Sequence, residues 1–215
     1  MEPFDASVVR AAYDTVAEDY AEAFADDLLQ LPLDRQVLDT VAQRIATGES
    51  VLDLGCGPGQ VGQYLAERGL LVVGMDLAQQ MLQAARRRTG NDRMACGDMR
   101  SMPFRSGAFS GVVAYHSVHN LPRPALRTAL AKVHRILKPS GSFVVATHLG
   151  EGEVYSNEFL GHDIETVGGI LYRDEELRAV LDSCSFLVEE LHYRDPLPHE
   201  HNTQRIYLSC RRAGT

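Results

Sequence analysis

Apolar and polar positions follow two different rhythms along the chain. Over residues 5–25, Val9, Ala12, Tyr13, Val16, Ala17 and Tyr20 recur at helical steps, which predicts an amphipathic helix or two short ones. A second helix is predicted over 34–46, with Val37, Leu38, Val41 and Ile45 on one face and Gly48 as its stop. From residue 50 the rhythm changes. Short, mostly apolar runs at 50–54, 70–75, 93–96, 109–115 and 142–147 predict strands, and segments at 60–68, 78–88 and 124–137 predict helices among them. Gly69 closes the first of these helices, Pro124 opens the last, and Lys138-Pro139 marks its end. Residues 148–172 are predicted to be a long irregular stretch. A helix over 174–183 and strands over 186–194 and 205–211 complete the pattern.

Regular alternation of continuous apolar strands with helices implies a mostly parallel sheet covered on both faces. The last two strands are joined by DPLPHEHNTQ, which is too short for a parallel crossover, so that pair is expected to be antiparallel. The expected fold is therefore α/β: a Rossmann-like, doubly wound, seven-stranded sheet with an antiparallel edge hairpin. In such sheets ligands bind outside the carboxyl ends of the strands. Conspicuous residues fall there: Asp53–Gly59, Asp76, Gly97-Asp98-Met99, His116–Asn120 and His148.

The run VLDLGCGPG at 51–59 sets a carboxylate beside a glycine-rich turn. Residues Gly57 to Gly62 also match GxGxxG, with Asp76 at the distance of a ribose-binding acid, so an NAD-dependent oxidoreductase is one reading. The charges favour another. A pyrophosphate prefers bare amides and a helix N-terminus, whereas Asp53, Asp76 and Asp98 at successive strand ends suit a ligand with ammonium and sulfonium groups.

The series VLDLGCGPG, VVGMDLAQQML, CGDMRSMPF, FSGVVAYHSVHNL and ILKPSGSFVVATHL resembles the class I S-adenosylmethionine-dependent methyltransferases, most of all the small-molecule type 11 branch. The resemblance covers roughly residues 8–211 in order, and AAYDTVAEDYAEAF is similar to that branch's helical lead-in. It implies S-adenosyl-L-methionine as cofactor and S-adenosyl-L-homocysteine as product. By position, Asp53 would place the methionine amino group. Gly55, Cys56, Gly57 and Gly59 would bring the backbone against the cofactor. Asp76 would take the ribose hydroxyls, Leu77 and Met99 would flank the adenine, and Asp98 would bond its amino group. His116 would lie near the methionine end. Tyr13 and Tyr20 would close the site, or serve only as core. A cofactor-binding protein without methyl transfer is a further alternative.

Methyl transfer by in-line displacement needs a base only when the acceptor must lose a proton. His116, His119 and His148 are the candidates, and His201 beside Glu200 is expected to be more remote. The whole of 1–215 reads as one domain, with a helical cap at 1–47 and an acceptor-site lid at 148–172 rich in glycine. A net charge of −8 argues against general nucleic-acid binding, and Tyr115-His116-Ser117-Val118 stands where nucleic-acid amino methyltransferases carry an Asn/Asp-Pro-Pro-aromatic run. The expected partner is a small-molecule acceptor for a monomer or homodimer. No apolar stretch approaches a membrane span. Cys56, Cys96, Cys184 and Cys210 lack metal spacing, so a reduced, cytoplasmic protein without a metal is expected.

Overall fold

A computed structural model describes residues 2–198 and 200–214. The amino-terminal part is helical: α1 (Ala6–Ala23), α2 (Asp27–Gln30) and α3 (Pro32–Arg44). Asp5 caps α1, its side chain accepting a hydrogen bond from the Ser7 amide. The alternating part follows, with β1 (Ser50–Leu54), α4 (Gln60–Ala66), β2 (Leu71–Asp76), α5 (Gln79–Thr89), β3 (Met94–Cys96) and β4 (Phe109–Tyr115). After a 3-10 turn (Val118–Asn120) come α6 (Arg123–Ile136), β5 (Leu137–His148), β6 (Glu153–Phe159), β7 (His162–Ile170), α7 (Asp174–Ser183), β8 (Phe186–Arg194) and β9 (Arg205–Arg212).

Seven strands form one sheet in the order β3-β2-β1-β4-β5-β9-β8. β1 to β5 are parallel, while β9 runs antiparallel to both β5 and β8. The strand-order reversal between β1 and β4 opens the crevice where ligands bind such sheets. Neighbouring strand residues feed opposite faces. Leu52, Val112 and Val145 join α6 and α7 in one core. Val51, Val113 and Val144 join α3 and α4 in the other.

Two expectations change. β5 begins directly where α6 ends, and its pairing slips from Phe109–Leu137 to Gly111–Ser142, so the strand is longer than 142–147. The stretch 148–172 is not irregular: β6 and β7 form an antiparallel hairpin separate from the main sheet. Its tight turn is Leu160-Gly161, both with positive φ (52° and 78°). Most of β6 is exposed, so no apolar alternation announces it. The hairpin packs on α1, where Phe159 and Ile164 meet Val16 and Ala17.

Candidate active site

The carboxyl edge of the sheet opens into a cavity of about 470 Å³ beneath α1 and the hairpin. Its first half is built on the β1–α4 turn. Gly55 has φ 73°, and a Cβ there would lie 2.2 Å from the Ser117 Cβ, so only glycine lets the turn pass the β4 loop. Gly57 has φ 50° and nothing within 4 Å of its Cβ position, so any side chain there would project into open space. Cys56 also lines the cavity, and burial pushes its thiol well above the usual range. Gly59 does not line it; it caps α4 in the left-handed conformation and packs against Ala85 and Thr89.

Asp53 sits on β1 at 1% exposure, and its Oδ2 has no hydrogen-bond partner. Burial pushes its carboxyl up to about 7; the Gly62 amide works against that rise and the nearby Asp76 adds to it. Gly62 makes room for this acid, because a Cβ there would meet Asp53 Oδ2 at 3.1 Å. The third glycine of the GxGxxG match thus serves a carboxylate.

Asp76 ends β2 and holds the turn in place. Its Oδ2 accepts the Gly57 amide and its Oδ1 the Ala78 amide, each at 2.8 Å. Burial raises its carboxyl despite those amides. Each oxygen keeps lone-pair capacity for a ligand. Leu77 and Met99 line the same wall. Asp98 does too, but Arg100 forks onto both of its oxygens, with Nε at 2.9 and 2.8 Å. Burial works to raise the Asp98 carboxyl, and the Arg100 bonds outweigh it, leaving it below the usual range. Arg100 stands two residues on in the same turn, so this claim on Asp98 is local.

The second half collects histidines from three elements. His116 follows β4 in the left-handed region at φ 49°, a conformation that costs about 1–3 kcal/mol for a non-glycine residue. Its ring centroid lies 5.4 Å from that of His148 at the end of β5, and His119 lies 5.3 Å from His148. His201, expected to be remote, is 6.2 Å from His148 and lines the same cavity. Burial lowers all three candidate bases: His116 well below its ordinary value, His119 to about 4 and His148 to about 3. They are neutral at pH 7.

A polar floor absent from the sequence reading lies behind them. Arg194 donates to both Glu200 oxygens at 2.7 and 2.8 Å and to Tyr207 Oη at 3.0 Å, and its Nε is 3.2 Å from Asp34 Oδ2. Tyr207 donates to Asp34 at 2.8 Å, and Tyr115 shares that oxygen. Asp34 and Tyr115 come from far along the chain to meet Arg194, Glu200 and Tyr207, and the set carries no local motif. Among the described residues, no group of three or more His, Cys, Asp or Glu side chains is placed to hold a metal.

The cap closes the cavity. Tyr13 and Tyr20 line it and also pack with each other and with Phe159, at ring distances of 5.8 to 6.3 Å, so they are at once core and lining. Tyr13 donates to Asn120 Oδ1 at 3.0 Å, and Asn120 Nδ2 donates to the Gly168 carbonyl at 3.0 Å. One side chain thereby ties α1, the β4 loop and the hairpin together.

Residues 51–141 match the family described as "Methyltransferase domain". An uncharacterised methyltransferase of Synechocystis sp. is 32% identical over 168 residues, which cover 76% of this chain and 75% of the relative. A malonyl-[acyl-carrier protein] O-methyltransferase of Enterobacter lignolyticus is 31% identical over 147 residues, 68% of this chain and only 56% of the relative. The chain thus spans three quarters of the first relative's length and little more than half of the second's. In shape, the chain is similar to a 1,6-didemethyltoxoflavin-N1-methyltransferase of Burkholderia thailandensis, with a TM-score of 0.75 at 20% identity, covering 100% of this chain and 92% of that one. At that identity the likeness speaks for the fold alone.

Proposed function

The chain belongs to the S-adenosylmethionine-dependent methyltransferases, and from that premise we propose that it methylates a small-molecule acceptor in the cavity at the carboxyl edge of its sheet. The observation that carries this reading is Asp53: a buried carboxylate with an unpartnered oxygen, beside a left-handed glycine turn. An ammonium group would answer that oxygen, and a pyrophosphate would be repelled by it. When bound, S-adenosyl-L-methionine supplies a methyl group activated by its sulfonium.

The chain's own residues then divide the work. Asp53 holds the amino group of the methionine moiety. Gly55, Cys56 and Gly57 present their backbone, and Gly59 starts the supporting helix. Asp76 accepts the ribose hydroxyls while keeping its two amides. Leu77 and Met99 flank the adenine, and Asp98 reaches its amino group by sharing its oxygens with Arg100. His116 borders the methionine end, and Tyr13 and Tyr20 close the site. His116, His119 and His148 stand ready for an acceptor that must lose a proton. The helical cap at 1–47 and the hairpin within 148–172 form the cover over the acceptor.

No helix among the described residues is long and apolar enough to cross a membrane. The acidic net charge of −8 supports a small acceptor rather than nucleic acid. Four free cysteines fit a reduced, cytoplasmic setting, as a monomer or homodimer. Thermal melts with S-adenosylmethionine, S-adenosylhomocysteine and NAD test the reading, since a ligand that binds only the folded state raises the midpoint. The two sulfur nucleosides should stabilise the protein. Stabilisation by NAD alone would overturn the proposal.

A further inference from the structure

Beyond the cofactor-facing wall, four imidazoles surround one end of the cavity: His116, His119, His148 and His201. His148 is the central one, with the other three rings 5.3 to 6.2 Å away. Its Nδ1 is fixed 2.7 Å from Thr203 Oγ1, and its second nitrogen has no hydrogen bond among the described residues. The Nδ1 of His116 is buried and unpartnered. So many imidazoles with unused nitrogens are costly in a folded protein unless a ligand answers them.

The charge behind them selects the ligand. Arg205 is 4% exposed and donates to the His201 and Thr203 carbonyls, with Glu200 no nearer than 3.6 Å. Arg194 stands beside it, tied to Glu200 and Asp34. His148 therefore faces the three other imidazoles, Arg205 and Glu200, with Arg194 and Asp34 behind. A guanidinium this close opposes an ammonium-bearing acceptor and favours negative charge as it develops.

We propose that this chamber takes a compact acceptor with an acidic hydroxyl, phenolic or enolic, and that His148 receives its proton as the oxygen is methylated. The proposal rests on the methyltransferase reading and adds to it the acceptor class and the base. The proposed step uses the tautomer in which Nδ1–H donates to Thr203 Oγ1, 2.7 Å away, and Nε2 is the bare lone pair. The acceptor O–H bond breaks and its proton goes to Nε2. The oxygen bonds the methyl carbon, and the carbon–sulfur bond breaks with both electrons left on sulfur. The proton then leaves to solvent. Burial keeps His148 neutral beforehand, and the oxyanion formed beside it restores its basicity. Cation and anion are consumed together, which a dry site favours.

The test uses the full chain loaded with S-adenosylhomocysteine and 4-nitrophenol as probe, at a pH where the free probe is mostly neutral. Its absorbance reports whether it binds as phenol or phenolate. The wild-type protein should bind it as phenolate. His148→Gln should lower the bound phenolate-to-phenol ratio by about tenfold, one pKa unit for the probe. Thr203→Val, which leaves the ring unfixed, should act in the same direction and serves if the first variant folds poorly. Calorimetry with S-adenosylhomocysteine should give unchanged affinity in both variants, so loss of the cofactor reading is seen separately. Failure of the probe to bind, binding as neutral phenol in the wild type, or a phenolate ratio unaffected by both variants would overturn the proposal.

Discussion

Replacing Asp53 with Asn should stabilise the ligand-free protein and weaken its hold on the cofactor. An aspartate in an unfolded chain titrates near 3.9, and in the fold burial carries Asp53 to about 7. A carboxyl raised in the folded state is most favourable protonated, so its contribution is full below about pH 4 and is lost as pH rises through 7. Three units at ~1.36 kcal/mol each make a penalty of about 4 kcal/mol above pH 7 as an upper figure. At pH 5 only about one unit has accrued, about 1.5 kcal/mol. Asparagine keeps the shape and escapes both. Urea melts should therefore show the variant's advantage shrinking by about 2–3 kcal/mol from pH 8 to pH 5. In thermal melts of a chain this size, each kcal/mol is worth about 2–4 °C. Loss of a hydrogen bond to a charged group should cost about 1.5–3 kcal/mol of binding, about 10- to 100-fold in affinity for S-adenosylhomocysteine. A variant less stable at pH 8, an advantage independent of pH, or unchanged affinity would refute the reasoning.

Gly55→Ala should cost at least about 2 kcal/mol of stability, since a left-handed alanine is strained and its methyl lies on Ser117. Gly57→Ala is left-handed too but has open space at its Cβ, so it should lose only about 1–2 kcal/mol to backbone strain, less than Gly55→Ala, and should lose cofactor affinity; equal stability losses in urea melts would contradict this contrast. Asp76→Ala deprives the Gly57 and Ala78 amides of their acceptor and should weaken S-adenosylhomocysteine at least tenfold by calorimetry, with Asp76→Asn intermediate. Asn120→Ala removes two hydrogen bonds worth about 1 kcal/mol each. Hydrogen exchange should then quicken in α1 and β7 together, and quickening in only one would show that they do not move as one cover. Limited proteolysis of the hairpin should slow when cofactor is added; equal cleavage would count against a lid.

Periodicity and turn chemistry are local, and what they determine was legible. The alternation from Ser50 to Phe143 specified the parallel strands, and the ten-residue join before Arg205 specified the antiparallel edge. The glycines and acids of 51–98 marked the crevice because their roles follow from backbone geometry at strand ends. The β6–β7 hairpin escaped because its largely exposed first strand shows no apolar alternation, and it folds for its contacts with α1. Only the tertiary structure set His201 beside His148 and joined Asp34 to Tyr207 across 173 positions. The same holds for electrostatics. The sequence by itself determined that a carboxylate stands at position 53; only burial among distant segments decided that it is poised near neutrality, because desolvation belongs to the packed environment and not to the residue.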